Sequence, residues 1–194
     1  ASAADQMIVY LLRHGRTEAN DRHLYCGSTD LSLSDRGRSD LAALRMRAAY
    51  PQLTNVDAII SGLRRTAETF QMLYGDAPAR VCAEFREIDF GAFEMHSYEE
   101  LKQNPAYQAW IGDAAGDAAP PKGESANHFR DRVIAAAEAL RRDSLIVCHG
   151  GVIAALMAHW FPEENRHMYA WQPDFGCGYR VEILNEKRTY TQIG

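Results

Sequence analysis

The chain has no apolar run near 18 residues, so no stretch of it reads as a membrane-spanning helix. It has no CxxC pair. Its four cysteines, Cys26, Cys82, Cys148 and Cys177, lie far apart, and 194 residues can build a core without staples. Free thiols in a reducing compartment are the expectation, and with them a cytoplasmic location. Positive net charge is also missing: at −5 the chain does not read as a general nucleic-acid binder, although a local basic pocket stays open. The opening ASAADQM lacks the charged n-region and apolar h-region of a secretion signal, and one removed in maturation stays open. Repeats and linkers are absent too, so one domain over 1–194 is expected.

Several catalytic motifs are missing as well. There is no GxxxxGK[ST], hence no P-loop, and no G-x-S-x-G elbow. No cysteine is followed six positions later by arginine: the slot after Cys26 is Ser32, and after Cys148 it is Ala154. That removes the cysteine-phosphatase pattern.

What is present is an alternation of buried-looking strands and amphipathic helices. MIVYLL (7–12) is continuously apolar, as in a strand covered on both faces. Residues 34–49 read as a helix with Ser34 as N-cap and Pro51 beyond its end. VDAII (56–60) is a strand, 64–74 a helix stopped by Gly75, and RVCAEF (80–85) a third strand. A helix capped by Ser125 is expected over 125–142, a strand at SLIVC (144–148), a helix from Gly150-Gly151 to Trp160, and a hairpin around Asn185 within 176–193. The fold class is therefore α/β, a layered and largely parallel sheet. Residues 88–124, including the exposed-looking GDAAGDAAPPKG (112–123), form an irregular insertion.

Ligands of such sheets bind beyond the carboxyl ends of the strands. Arg13, His14 and Gly15 follow the first strand, and Ser61, Gly62, Arg64 and Arg65 the second. Arg86, Glu87 and Asp89 follow the third, and His149, Gly150 and Gly151 the fourth. Arginine forks and a helix N-terminus suit a phosphate oxyanion. A neutral histidine can attack phosphorus, and neighbouring arginines keep it neutral by lowering its pKa. A carboxyl group can protonate the leaving oxygen and then activate water. His14, His149, Glu87 and Asp89 are also metal-ligand types, but arginines crowd the same edge, so no metal is expected. Glu84, Asp89 and Glu94 compete with Glu87 for the acid's role. Only Glu87 has E-x-x-x-G spacing, to Gly91.

At this point the residues resemble the histidine phosphatase superfamily, the phosphoglycerate-mutase-like proteins. R-H-G-x-T-x-x-N is present as Arg13, His14, Gly15, Thr17 and Asn20. GSTDLSLSDRG (27–37), SGLRRTAET (61–69), EIDFGAFE (87–94), GES (123–125) and CHGG (148–151) follow in order. The resemblance implies a three-layer sandwich with the 88–124 insertion as a lid. It implies His14 as the nucleophile, Arg13 and Arg65 as phosphate clamps, His149 as the second histidine and Glu87 as acid and base. Asn20, Thr17, Gly27, Gly150 and Arg64 are carried over as substrate contacts, with Arg64 the alternative to Arg65 as clamp. No cofactor is implied. The partner is a small phosphorylated substrate, and a homodimer stays open.

Three departures refine this. Phe93-Glu94-Met95 stands where many small phosphatases of the family read W-E-G. Arg16 stands where glutamate or glutamine is common, and its role is open. Glu87-Ile88-Asp89-Phe90-Gly91 lacks the E-R-H-Y-G block of the longer mutases, which favours a phosphatase over a cofactor-dependent phosphoglycerate mutase. A catalytically silent phosphate-binding module is disfavoured by the intact His14 and Glu87. Small members of the branch act on sugar or nucleoside phosphates, α-ribazole 5′-phosphate among them, and that is the first expected substrate.

Overall fold

The computed structural model describes residues 6–194, so the reading of residues 1–5 lies outside the described residues. A six-stranded sheet runs in the order β3-β2-β4-β1-β5-β6. The strands are β1 (Gln6–Arg13), β2 (Asp57–Ile60), β3 (Arg80–Val81), β4 (Ser144–Cys148), β5 (Gly178–Leu184) and β6 (Lys187–Ile193). β1, β4, β2 and β3 are parallel; β5 pairs antiparallel with β1, and β6 antiparallel with β5.

The continuous apolar runs are explained by burial on both faces. Along β1, Val9 and Leu11 enter one core with Ile146 and Cys148 of β4, while Leu12 joins Leu145 and Val147 in the other. The first core is roofed by α6 (Ala126–Glu138) and α7 (Gly150–Trp160), the second by Phe70 and Leu73 of α3 (Arg64–Tyr74). α2 (Asp35–Arg47) packs against α3, completing three layers. Ser34 and Ser125 cap α2 and α6 through the amides of Gly37 and His128.

Two expectations need correction. The strand over 80–85 stops after Val81, and Ala83–Phe85 coil into a 3-10 turn that buries Phe85. The edge pairing ends because Phe85 takes its place in the first core. The 88–124 segment is also more regular than its composition suggests. It holds α4 (Tyr98–Leu101) and α5 (Pro105–Ile111), each capped, by Ser97 and Asn104. Phe93, Leu101 and Tyr107 form a small core of its own, against which Tyr25, Phe90 and Trp110 pack.

Among the described residues no helix is long and apolar enough to cross a membrane.

Candidate active site

Strand register brings the sequence blocks together. Arg13 pairs with Cys148 across β1 and β4, and the His14 N–H donates to the Cys148 carbonyl at 3.0 Å. His14 and His149 therefore leave adjacent strand tips, with ring centroids 5.2 Å apart. β2 flanks β4 on the other side, so Ser61 follows at the same edge and its hydroxyl lies 2.8 Å from His149 Nε2. α3 starts three residues later and carries Arg65.

His14 is 4% exposed. Its Nδ1 lies 2.6 Å from the Gly15 carbonyl, and a carbonyl only accepts, so Nδ1 carries the proton. Nε2 is left as the unprotonated nitrogen. Burial first, then Arg65, holds the His14 pKa well below the usual imidazole value; Arg13 adds to this, against the Gly15 hydrogen bond. His149 is fully buried and is lowered by the same two leading causes. Both imidazoles are neutral at pH 7. His149 Nδ1 is buried and has no hydrogen-bond partner.

The arginines differ. Arg65 is 1% exposed and is oriented by two carbonyls, Thr29 through Nη1 at 2.8 Å and Gly27 through Nη2 at 2.6 Å. Arg13 donates from Nη1 to the Pro173 carbonyl at 2.8 Å, and its Nε is buried without a partner. Burial lowers the Arg13 pKa to about 10, against the pull of Glu87 and Asp174. Arg64 is not brought to the cleft. It is exposed, its amide donates to Asp30, and its guanidinium reaches Ser32. Helical geometry explains the split, since adjacent positions on α3 point about 100° apart. Arg64→Ala is expected to change kcat/KM less than about twofold. Arg65→Ala lowers it by on the order of 10³-fold and leaves the buried Gly27 carbonyl unpaired. Steady-state kinetics with a thermal melt on each variant checks both.

Glu87 closes the arrangement. Its Oε2 accepts from the Gly151 amide at 2.9 Å and its Oε1 from the Ile88 amide at 3.1 Å. The approach is so close that a Cβ on Gly151 would collide with the carboxylate. The N-terminus of α7 was expected to face phosphate, but the Gly151 amide is taken by Glu87. Burial raises the Glu87 pKa, and the two amides and both arginines only moderate the rise.

The remaining predicted contacts divide. Asn20 lines the cleft, a hollow of about 180 Å³ shared with Arg13, Glu87, Tyr25, Phe90 and Tyr169. Thr17 is fully buried and instead caps α1 (Glu18–Asp21): its amide and hydroxyl donate to Asn20 Oδ1, and its hydroxyl accepts from the Asn20 amide. The T-x-x-N spacing is thus a capping box that fixes Asn20. Gly27 supplies its carbonyl to Arg65 and its amide to Glu94. Gly150 opens α7 beside Arg13; a Cβ there would stand 3.0 Å from Arg13 Nε.

Sequence reasoning missed three supports. Glu94 accepts from the Gly27, Ser28 and Phe90 amides and the Thr29 hydroxyl, tying the 27–29 loop that orients Arg65. Arg132 of α6 clasps the Glu84, Arg86 and Glu87 carbonyls while bound to Glu124, so the GES block holds the acid's segment. Ser61 and His149 meet across 88 positions. Glu94 and Glu124 lie within the EIDFGAFE and GES blocks but their partners are remote, Arg132 lies outside every block, and the Ser61–His149 pairing needs the sheet order. Among the described residues, no three His, Cys, Asp or Glu side chains group as a metal site.

A pair of neutral imidazoles, two arginines and a protonatable carboxyl at the carboxyl edge of a three-layer α/β sheet are the groups that phosphoryl transfer needs. The family model of the histidine phosphatase superfamily (branch 1) matches residues 9–194. The chain belongs to that superfamily and is a phosphatase. It is 30% identical over 190 residues to an adenosylcobalamin/alpha-ribazole phosphatase of Escherichia coli (strain K12), covering 93% of this chain and 92% of the relative. The corresponding Salmonella typhimurium protein is 29% identical, with 91% of each covered. The crystal structure of the alpha-ribazole phosphatase from Shigella flexneri superposes with a TM-score of 0.82 at 28% identity, over 96% of this chain and 94% of that one.

Proposed function

We propose that the protein is a phosphomonoesterase that hydrolyses α-ribazole 5′-phosphate through a phosphohistidine on His14. The fixed His14 tautomer carries this reading: with Nδ1–H bound to the Gly15 carbonyl, Nε2 offers its lone pair. Arg13 and Arg65 clamp the phosphoryl oxygens. In this reading the Ser61 hydroxyl donates to His149 Nε2 at 2.8 Å in preference to the Thr66 hydroxyl, which is farther away at 3.3 Å. His149 then carries its proton on Nδ1, the unpartnered nitrogen, as a donor to the developing charge.

His14 Nε2 attacks phosphorus as the ester P–O bond breaks, and Glu87 gives its proton to the leaving oxygen. Water then attacks the phosphohistidine, Glu87 takes the water proton, the N–P bond breaks and phosphate leaves. The leaving group faces Tyr25, Phe90 and Tyr169, which suits a nucleoside base. Tyr25 is held from behind by a 2.6 Å hydroxyl contact to Tyr107 of the 88–124 segment. Arg13 is the sole cation among the described residues lining the hollow, so a phosphoglycerate carboxylate finds no second charge there. The four unpaired thiols suit a cytoplasmic site of action.

A phosphate-ester panel in excess EDTA tests the assignment. The highest kcat/KM is expected for α-ribazole 5′-phosphate, with net phosphate release. Activity abolished by the chelator, or phosphate passed between positions of phosphoglycerate without release, would overturn it.

The pH profile follows from the two shifted groups. His14 must be neutral, and its lowered pKa places the acid limb of kcat/KM below pH 6.5. Glu87 must be protonated, and its raised pKa places the alkaline limb above pH 4.5. Rate measurements across this range on wild type and Glu87→Gln check the assignment: the variant loses the alkaline limb and keeps the acid one.

A further inference from the structure

One aromatic residue touches both the clamp and the nucleophile. The Arg13 guanidinium carbon lies 3.8 Å from the Phe175 ring centroid, and the His14 ring centroid lies 5.9 Å from it. The same ring takes a second guanidinium, that of Arg16, at 4.6 Å. Arg16 is also paired with Asp21 at 3.7 Å and Asp40 at 3.9 Å.

The loop that carries Phe175 is built around Arg13. The Pro173 carbonyl accepts from Arg13 Nη1, the Gly176 amide donates to the Arg13 carbonyl at 2.9 Å, and the Arg13 amide donates to Cys177 at 2.9 Å. Gly176 has φ +76°, and a Cβ there would press on Leu41 and Leu44 at 2.8 Å. The turn in PDFGC is thus shaped to lay Phe175 against the strand tip.

A guanidinium can be held by a carboxylate or by a ring. A carboxylate would neutralise it and repel phosphate; a ring face attracts the cation and leaves the charge available. We propose that Phe175 is a positioning residue for the phosphate site: its ring fixes the Arg13 guanidinium against His14, and Arg16, seated on the same ring, braces it. This rests on the phosphatase reading of the site and gives Arg16 a role beyond surface charge.

The test is competitive inhibition by inorganic phosphate, with kcat and KM on an aryl phosphate, in Phe175→Leu, Phe175→Tyr and Arg13→Ala and in the Phe175→Leu/Arg13→Ala double variant. Phe175→Leu keeps an apolar filler but removes the ring. It is expected to raise the phosphate Ki about tenfold, while Phe175→Tyr stays within about twofold of wild type. In the Arg13→Ala background Phe175→Leu has no further effect, because the group it positions is gone. General folding damage would add equally in both backgrounds, and that result, or an unchanged Ki in Phe175→Leu, overturns the proposal. Should Phe175→Leu fail to fold, Phe175→Met takes its place in the same cycle. If phosphate fails to inhibit the wild type at all, the phosphatase site itself is misplaced, a separate failure.

Discussion

Replacing His14 with alanine lowers kcat/KM by at least about 10⁴-fold, because no other group in the cleft can form the covalent bond to phosphorus. Ser61 is bound to His149, the Cys148 thiol is fully buried with its pKa pushed up by burial, and the Cys26 thiol, which lines the hollow, also has its pKa raised by burial and donates to the Thr29 carbonyl. None replaces an imidazole whose Nδ1–H is fixed on the Gly15 carbonyl. The binding groups survive the change: Arg65 stays on the Thr29 and Gly27 carbonyls, and Arg13 stays on Pro173. Phosphate affinity is therefore expected to move by less than about tenfold while turnover collapses. Calorimetric titration with phosphate beside steady-state rates separates the two. An His14→Ala enzyme with wild-type turnover removes the nucleophile from the scheme.

Glu87→Gln gives the second large effect, and its size depends on the leaving group. Glutamine preserves the shape and its single carbonyl can still accept from one of the two amides, Gly151 or Ile88, but it has no acidic proton to give. For an alkyl ester such as a nucleoside 5′-phosphate, the leaving alkoxide needs that proton. A loss of on the order of 10³-fold is expected. For an aryl ester with an acidic phenol, P–O cleavage needs little help, and the first step survives. Hydrolysis of the phosphohistidine still lacks its base, so the aryl ester gives a burst of one phenol per enzyme followed by slow turnover. Rapid-mixing absorbance with the two substrate classes checks this. Equal losses on both would show Glu87 to be structural.

The sheet was legible because strands buried on both faces spell themselves as unbroken apolar runs: MIVYLL and SLIVC became β1 and β4, the centre of the sheet. The site was legible because most of its residues cluster at strand tips, so His14, Arg65 and His149 each sit beside their own strand or helix start, while Glu87 follows the 3-10 turn that ends at Phe85. The family resemblance of the 61–69 block assigns the clamp to Arg65, with Arg64 as the alternative, and the helix turns Arg65 inward. What escaped is support from afar. Phe175 reaches Arg13 only because β5 runs antiparallel beside β1, and Arg132 reaches the Glu87 carbonyl only because α6 packs across the 3-10 turn at Ala83–Phe85. Thr17 was read as a ligand contact where it is a cap. A hydroxyl near a phosphate motif has both uses, and its hydrogen-bond partners, here Asn20 of the first turn, tell them apart.

The most direct test is to trap the intermediate. Glu87→Gln enzyme is mixed with a ³²P-labelled aryl phosphate, denatured in alkali and digested. One label per enzyme, stable to base and lost in mild acid, is expected on the peptide containing His14. An enzyme that turns over substrate with no such label, or with the label on a peptide other than that of His14, contradicts covalent catalysis by this residue.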